Sequence, residues 1–269
     1  MSRGGGEHDR AQQRASTERS ADDAAIARAR TWLRDAARVV VFTGAGVSAE
    51  SGIPTFRDSL TGLWARFDPQ RLATEAGFRA DPALVWRWYA QRRAAVMNAQ
   101  PNAAHAAIAA FEASRRRVDV VTQNVDGLHR RAGSGSVLEL HGDITRVKCL
   151  EGCGAPEAIA AAFDWRCDPR EPPPCPRCGA PLRPDVVWFG ELLPEAVLAD
   201  AQAAAAACDA MLVVGTSALV YPAAELPALA RRAGARLVVV DPHETAIDDI
   251  ADARVHLPAA VALPPLLAE

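Results

Sequence analysis

Lysine is almost missing from this chain: of its 30 Lys and Arg residues only Lys148 is a lysine. The arginines are spread among 33 Asp and Glu, so there is no dense basic patch to follow a phosphate backbone, which argues against nucleic acid as the primary partner. Apolar runs long enough to cross a bilayer are absent as well, and with them any membrane span of the helical kind. Met1 to Ser20 mixes Gly, Arg, Glu, Gln and Ser without the apolar stretch of a secretory signal. This segment reads as a disordered leader, residues 1–20, on a cytoplasmic protein that uses neither membrane nor nucleic acid. No internal repeat is visible. At 269 residues, 49% hydrophobic and 23% charged, with mean hydropathy near zero, the chain suits one soluble domain with a substantial core and room for a small insert.

What is present is a rhythm. Ala21–Arg38 carries Ile26, Trp32 and Leu33 among polar residues, the pattern of an amphipathic helix, and Val39–Thr43 follows as an apolar run of strand length. Similar runs recur at Val118–Thr122, Val137–Leu140, Val186–Phe189, Met211–Gly215 and Leu237–Val240. Between them lie helical stretches: Asp81-Pro82 opens one through about Asn98, and Asn102–Ala113 and Pro194–Cys208 are rich in Ala. Strands buried on both faces and alternating with helices predict an α/β fold with a doubly wound parallel sheet.

Lys148 to Arg183 breaks the rhythm with Cys, Pro and Gly, as a small metal-held module inserted at about residues 146–184 would. Cys149 and Cys153 are spaced C-x-x-x-C, and Cys175 and Cys178 form a C-x-x-C knuckle followed by Gly179. Four thiolates from two such hairpins suit one tetrahedral zinc ion, with Cys167 a rival ligand and disulfides the alternative. No water-activating His or Glu accompanies the cluster, which predicts a structural metal. Cys208 reads as a small buried hydrophobe.

Gly44-Ala45-Gly46-Val47-Ser48-Ala49 directly follows the first strand and fits G-x-G-x-x-A, a turn that brings backbone close to a pyrophosphate. A dehydrogenase would show an acid at the end of the next strand to hold the ribose. Here the chain instead runs into Glu50-Ser51-Gly52-Ile53-Pro54-Thr55-Phe56-Arg57, so the dinucleotide is handled differently from a hydride donor.

The run Gly44 to Arg57 resembles the signature of the sirtuins, NAD-dependent protein-lysine deacylases. Thr122-Gln123-Asn124-Val125-Asp126-Gly127-Leu128-His129, Leu140-His141-Gly142, Val186-Val187-Trp188-Phe189-Gly190-Glu191 and Gly215-Thr216-Ser217 follow in the family's order, and the resemblance covers roughly Ala21 to Pro265. It implies a Rossmann-like domain with a small zinc domain, and NAD meeting an acylated-lysine protein or peptide in the cleft between them. By that resemblance Asn124 and Asp126 grip the nicotinamide amide, Ile53 lines the same pocket, Phe56 shields the reacting ribose carbon and Arg57 faces the phosphates. Gly44, Ala45, Gly46, Ser48, Ala49, Gln123, Gly215, Thr216, Ser217, Asp241 and Ala259 complete the dinucleotide contacts. Asp241 departs from the family pattern, which often has Asn there. His141 is the implied general base, and an imidazole with pKa near 6.5 suits proton abstraction at neutral pH. His8, His105, His129, His243 and His256 read as structural.

The implied products are nicotinamide, O-acyl-ADP-ribose and free lysine. Val187, Phe189, Gly190 and Glu191 resemble the segment that receives substrate as an added strand. Tyr89 and Arg92 are three apart on one predicted helix and share a face; with the small Ala73 they resemble the class III members, whose acyl pocket takes succinyl and malonyl groups. A carboxylate in an apolar tunnel needs charge-assisted donors, and a guanidinium with a phenol supplies them. The rival readings are a deacetylase-preferring sirtuin, a mono-ADP-ribosyltransferase using the same pocket, and a sensor of NAD or ADP-ribose without turnover.

Overall fold

The computed structural model describes residues 5–54, 69–114, 117–154, 158–159 and 170–268. Phe56, Arg57 and Cys167 lie outside them.

Six strands, β1 (Arg38–Thr43), β2 (Arg117–Thr122), β3 (Val137–Glu139), β6 (Ala210–Val214), β7 (Arg236–Val240) and β8 (Ala253–Val255), form one sheet in the order β3-β2-β1-β6-β7-β8. All five pairings are parallel. The period-2 alternation of strand side chains divides the core in two. Val39, Val41, Leu212, Val214, Val238 and Val240 face α1 (Gly5–Asp35), α5 (Ala103–Ala113) and α9 (Ala259–Leu267). Val40, Phe42, Met211, Val213, Leu237 and Val239 face α7 (Glu195–Ala207) and α8 (Leu226–Arg232). Each such side chain contributes about 1.5–3 kcal/mol by leaving water, and these β-branched runs tolerate no polar face.

The chain winds outward from β1 through β2 to β3, then returns to the far side of β1 as β6. This reversal opens a crevice beyond the carboxyl ends of β1 and β6, where ligands of doubly wound sheets bind. The return leg carries a separate antiparallel pair, β4 (Gly142–Cys149) and β5 (Leu182–Val186), with the four zinc-type cysteines beside it.

Two expectations are corrected, and one strand is added. Val186–Phe189 is not a strand of the main sheet: β5 ends at Val186, and the next residues bridge elements, Val187 N–H donating to the His141 carbonyl and Phe189 N–H to the Ala73 carbonyl, both at 2.9 Å. An apolar run of strand length cannot tell a sheet strand from a buried connector. The first helix begins at Gly5 rather than Ala21, so the leader is helical over most of its length; its Ala, Gln, Arg and Glu are all good helix formers. The sixth strand, β8, was not foreseen, because three residues interrupted by Arg254 give no apolar run.

Candidate active site

The glycine turn after β1 becomes a 3₁₀ segment, Ala45–Ser51, laid backbone to backbone on the loop after β6. Gly44 N–H donates to the Val214 carbonyl at 3.0 Å and Gly46 N–H to the Gly215 carbonyl at 2.8 Å. A Cβ on Gly46 would stand 2.6 Å from the Gly215 Cα, and one on Gly215 would stand 2.4 Å from the Val47 nitrogen. No side chain fits in this seam, so the glycines are required by the approach of two backbones. Thr216 and Ser217 follow, and Ala218 is held at φ 54° with its N–H on Thr216 Oγ1 at 3.2 Å, a conformation uncommon for a residue with a Cβ.

Ser48 is buried at the start of the crevice and ties three elements together. Its hydroxyl donates to Asp126 Oδ2 at 2.8 Å and accepts from Asn124 Nδ2 at 3.1 Å. Asp126 Oδ1 takes the Leu128 N–H at 2.9 Å. Burial raises the Asp126 carboxyl above its ordinary range, against the pull of those two hydrogen bonds. The structure thus brings Asn124 and Asp126 together at the carboxyl edge as the sequence led one to expect. Ile53 is half-buried nearby and, with Val125, packs on a cluster of Leu72, Phe78, Tyr89 and Trp188.

His141 stands after β3. Its Nδ1 lies 2.9 Å from the Gln123 carbonyl oxygen, which can only accept, so Nδ1 carries the hydrogen and Nε2 the lone pair. Burial lowers the imidazole pKa and the Gln123 contact only partly offsets it, leaving the ring neutral at pH 7. Gln123 is fixed in turn by its N–H on the Thr43 carbonyl and its Nε2 on Thr216 Oγ1, each at 2.9 Å.

Two expected dinucleotide contacts have other partners. The buried Asp241 carboxylate accepts the His243 N–H at 2.8 Å, closing its own turn. The Ala259 side chain is packed in the core beneath α9.

Beyond the crevice, α4 (Pro82–Asn98) is started by Asp81, whose carboxylate accepts the Leu84 N–H at 2.9 Å, with Pro at the first helical position. It carries Tyr89, buried, and Arg92, half-buried with its guanidinium 4.6 Å from the Trp88 ring centroid. Burial raises the Tyr89 phenol and lowers Arg92, and each residue feels the other's charge. The half-buried Ala73 accepts the Phe189 N–H, which links this pocket to the Val187–Glu191 segment, where Phe189 and Gly190 are exposed.

The Sγ atoms of Cys149, Cys153, Cys175 and Cys178 all lie within 4.8 Å of one another. Cys149–Cys178 and Cys153–Cys175 are 3.4 Å apart, far beyond the ~2.05 Å of a disulfide bond. Burial favours the Cys175 thiol, but the backbone N–H groups of Arg177 and Cys178 outweigh it and lower its pKa to about 7, while the shared hydrogen bond pushes Cys153 up to about 12. One thiol readily deprotonated and four sulfurs in a cluster fit a tetrahedral zinc ion, which would be held by these four residues and stabilise the module. Cys208 is buried and raised to about 11 by that burial, as an inert thiol should be.

Sequence reading missed a buried layer under the crevice. His129 Nε2 meets Thr43 Oγ1 at 2.9 Å, Thr43 donates to Thr122 Oγ1 at 2.8 Å, and His105 Nε2 lies 3.4 Å from Ser48 Oγ. His105 also closes a capping box with Asn102 at the start of α5, a role its three-residue offset from Asn102 could have suggested. Also missed was the exposed run Leu219, Val220 and Tyr221 after the Gly215 loop, together with Leu192 at 93% exposure; a run of apolar residues beyond a strand's carboxyl end was the available signal.

A doubly wound sheet with a glycine seam at its switch point, buried polar groups at that edge and a four-thiol module defines the class: a dinucleotide-binding α/β protein with a four-cysteine cluster of the kind that holds a structural metal. The comparisons make this specific. The sequence model of the Sir2 family matches residues 44–222. An NAD-dependent protein deacylase of Ralstonia nicotianae is 57% identical over 247 residues, 92% of this chain and 98% of that protein. NAD-dependent protein deacylase 2 of Pyrobaculum aerophilum is 49% identical over 88% of this chain and 92% of its own. The crystal structure of a Sir2 homologue–NAD complex superposes with a TM-score of 0.78 at 42% identity, covering 88% of this chain and 91% of that one. This chain belongs to the Sir2 family.

Proposed function

We propose that the protein is an NAD-dependent protein-lysine deacylase that removes succinyl and malonyl groups as well as acetyl. The observation that carries the reading is the convergence, at one sheet edge, of the Ser48–Asp126–Asn124 cluster with a neutral His141 whose Nε2 is basic. NAD supplies a ribose whose bond to nicotinamide is exchanged for one to the acyl oxygen. Asn124 and Asp126, turned inward on Ser48, offer an amide and a carboxylate to the nicotinamide amide. The Gly44–Gly46 and Gly215–Ser217 turns, bare of bulky side chains, let the phosphate and ribose side of NAD come close to the backbone. His141 Nε2 takes the proton of a ribose hydroxyl, and the Gln123 carbonyl holds the ring so that this nitrogen is the acceptor. Val187–Glu191 receives the substrate backbone as an added strand.

The acyl preference is supported by Tyr89 and Ala73 meeting in one cluster with Trp188, and by Arg92 lying over Trp88, which packs against that cluster. A carboxylate entering there gains a charge-assisted partner that an acetyl group does not need. Acetyl, malonyl, succinyl and long-chain acyl-lysine peptides, incubated with adenylate-labelled NAD, test both levels. Label in O-acyl-ADP-ribose, largest for the dicarboxylic groups, is expected. Label on protein would instead define an ADP-ribosyltransferase, equal or greater activity on acetyl-lysine a deacetylase, and absence of nicotinamide release with every peptide a sensor.

A further inference from the structure

One side chain joins the four-cysteine module to the acyl pocket. Arg183 stands on β5 directly after Leu182, which pairs with Cys149 across the ladder and packs with Cys149, Cys175 and Ile159 in the module's own core. Arg183 is 3% exposed. Its Nη2 donates to the Val186 carbonyl at 2.6 Å and to Glu191 Oε2 at 3.0 Å, and its Nη1 pairs with Glu191 Oε1. The guanidinium carbon lies over the Trp188 ring, 3.4 Å from its centroid. Glu191 Oε2 also accepts the Trp188 backbone N–H at 2.9 Å, so carboxylate and guanidinium together fix the indole. The indole Nε1–H then donates to the Tyr89 hydroxyl at 3.0 Å.

A phenol that accepts from an indole must point its own O–H elsewhere, and so keeps its proton for another acceptor. The direction of that proton is set by Trp188, and Trp188 is set by Arg183. Burying a guanidinium–carboxylate pair is weak evidence of a stabilising role, since apolar residues of similar volume do as well. What an apolar residue would not do is fork onto a carboxylate and stack on an indole at once; lysine provides the charge without either.

We propose that Arg183 is a positioning residue: through Glu191 and Trp188 it fixes the Tyr89 hydroxyl that reads the acyl chain, so the four-cysteine module sets acyl selectivity besides holding its own fold. The selectivity part rests on the dicarboxylic reading above. The test compares succinyl-lysine with acetyl-lysine efficiency in Arg183→Lys, Trp188→Phe, Tyr89→Phe and the double variant Arg183→Lys/Tyr89→Phe. Arg183→Lys and Trp188→Phe are expected to lower the succinyl-to-acetyl ratio about 2- to 10-fold, the range of one neutral hydrogen bond. In the Tyr89→Phe background, Arg183→Lys is expected to change the ratio no further, because the group it positions is gone. An undiminished fall in that background overturns the proposal, as does an equal loss for both substrates. Should Arg183→Lys fail to fold, Trp188→Phe, which keeps an aromatic side chain while removing the indole N–H and its five-membered ring, carries the same expectation.

A second readout is independent of acyl preference. The indole ¹⁵N–¹H resonance of Trp188, assigned by its loss in Trp188→Phe, should move in both Arg183→Lys and Tyr89→Phe. An unmoved resonance in Arg183→Lys overturns the strut. If wild-type enzyme shows no dicarboxylic preference and Tyr89→Phe leaves the ratio unchanged, the acyl reading fails, and the resonance alone then decides whether Arg183 positions Tyr89.

Discussion

At His141 the Nδ1–H is committed to the Gln123 carbonyl and burial disfavours the charged ring, so the neutral form persists below the ordinary imidazole pKa of about 6.5. Activity that needs the neutral base should therefore hold as pH falls through 6.5 and decline only on the acid side of that value. The kcat–pH profile checks this, and an acid limb centred at or above 6.5 would contradict it. His141→Ala should leave NAD binding largely intact and lower deacylation on the order of 10²-fold or more, measured by nicotinamide release alongside calorimetric NAD titration. At Arg92 the expected effect is selective. Hydrogen bonds to a charged group contribute roughly 1.5–3 kcal/mol, so Arg92→Met should cut succinyl-lysine efficiency by about 10- to 100-fold while acetyl-lysine, which brings no carboxylate, changes far less. Equal losses would show that Arg92 supports α4 through its stack on Trp88.

Among the elements, the β4–β5 pair depends most on something outside its own packing. Among the described residues its satellite core holds four buried side chains, two of them Cys149 and Cys175 of the four-thiol cluster, so a metal held there would tie that core together. Cys175→Ser should release the metal and lower the melting temperature without first altering the chemical step, because structural zinc sites contribute folding free energy directly. Metal analysis of the purified variant checks this, and one zinc per chain with an unchanged melting temperature would exclude the four-cysteine site. The helices depend on local chemistry: Asp81 and Pro82 start α4, and Asn102 with His105 starts α5, devices visible in the sequence as N-cap residues ahead of an apolar run.

For the whole molecule, the buried histidines set an acid limit. Burial lowers His105 to about 4 and His129 to about 3, so the native state binds neither proton where the unfolded chain, near 6.5, binds both. A depressed folded-state value means stability that is intact above the unfolded pKa and is lost as pH falls below it. Between pH 6.5 and the folded values each histidine should remove up to about 1.4 kcal/mol per pH unit. Urea unfolding at pH 7.0 and pH 5.0 measures the loss, and equal stability at the two values would show that the imidazoles are not held neutral.

The sequence by itself determined the doubly wound sheet, the glycine turn after β1, the starts of α4 and α5 and the cysteine spacing, because apolar period, backbone freedom and cap chemistry act over a few residues. The strand-length run Val186–Phe189 shows the limit: it is equally apolar as a strand or as a connector, and only the pairing of β5 with β4 and the bonds to His141 and Ala73 decided between them. Likewise no spacing rule links Ser48 to Asp126, His129 to Thr43, or Arg183 through Trp188 to Tyr89. Those partners are tens of residues apart in the chain, or reach one another only through a third. What brings them within hydrogen-bond distance is the winding of the sheet, which places the loops after β1, β2, β3 and β6 at one edge and lays the four-cysteine module against α4.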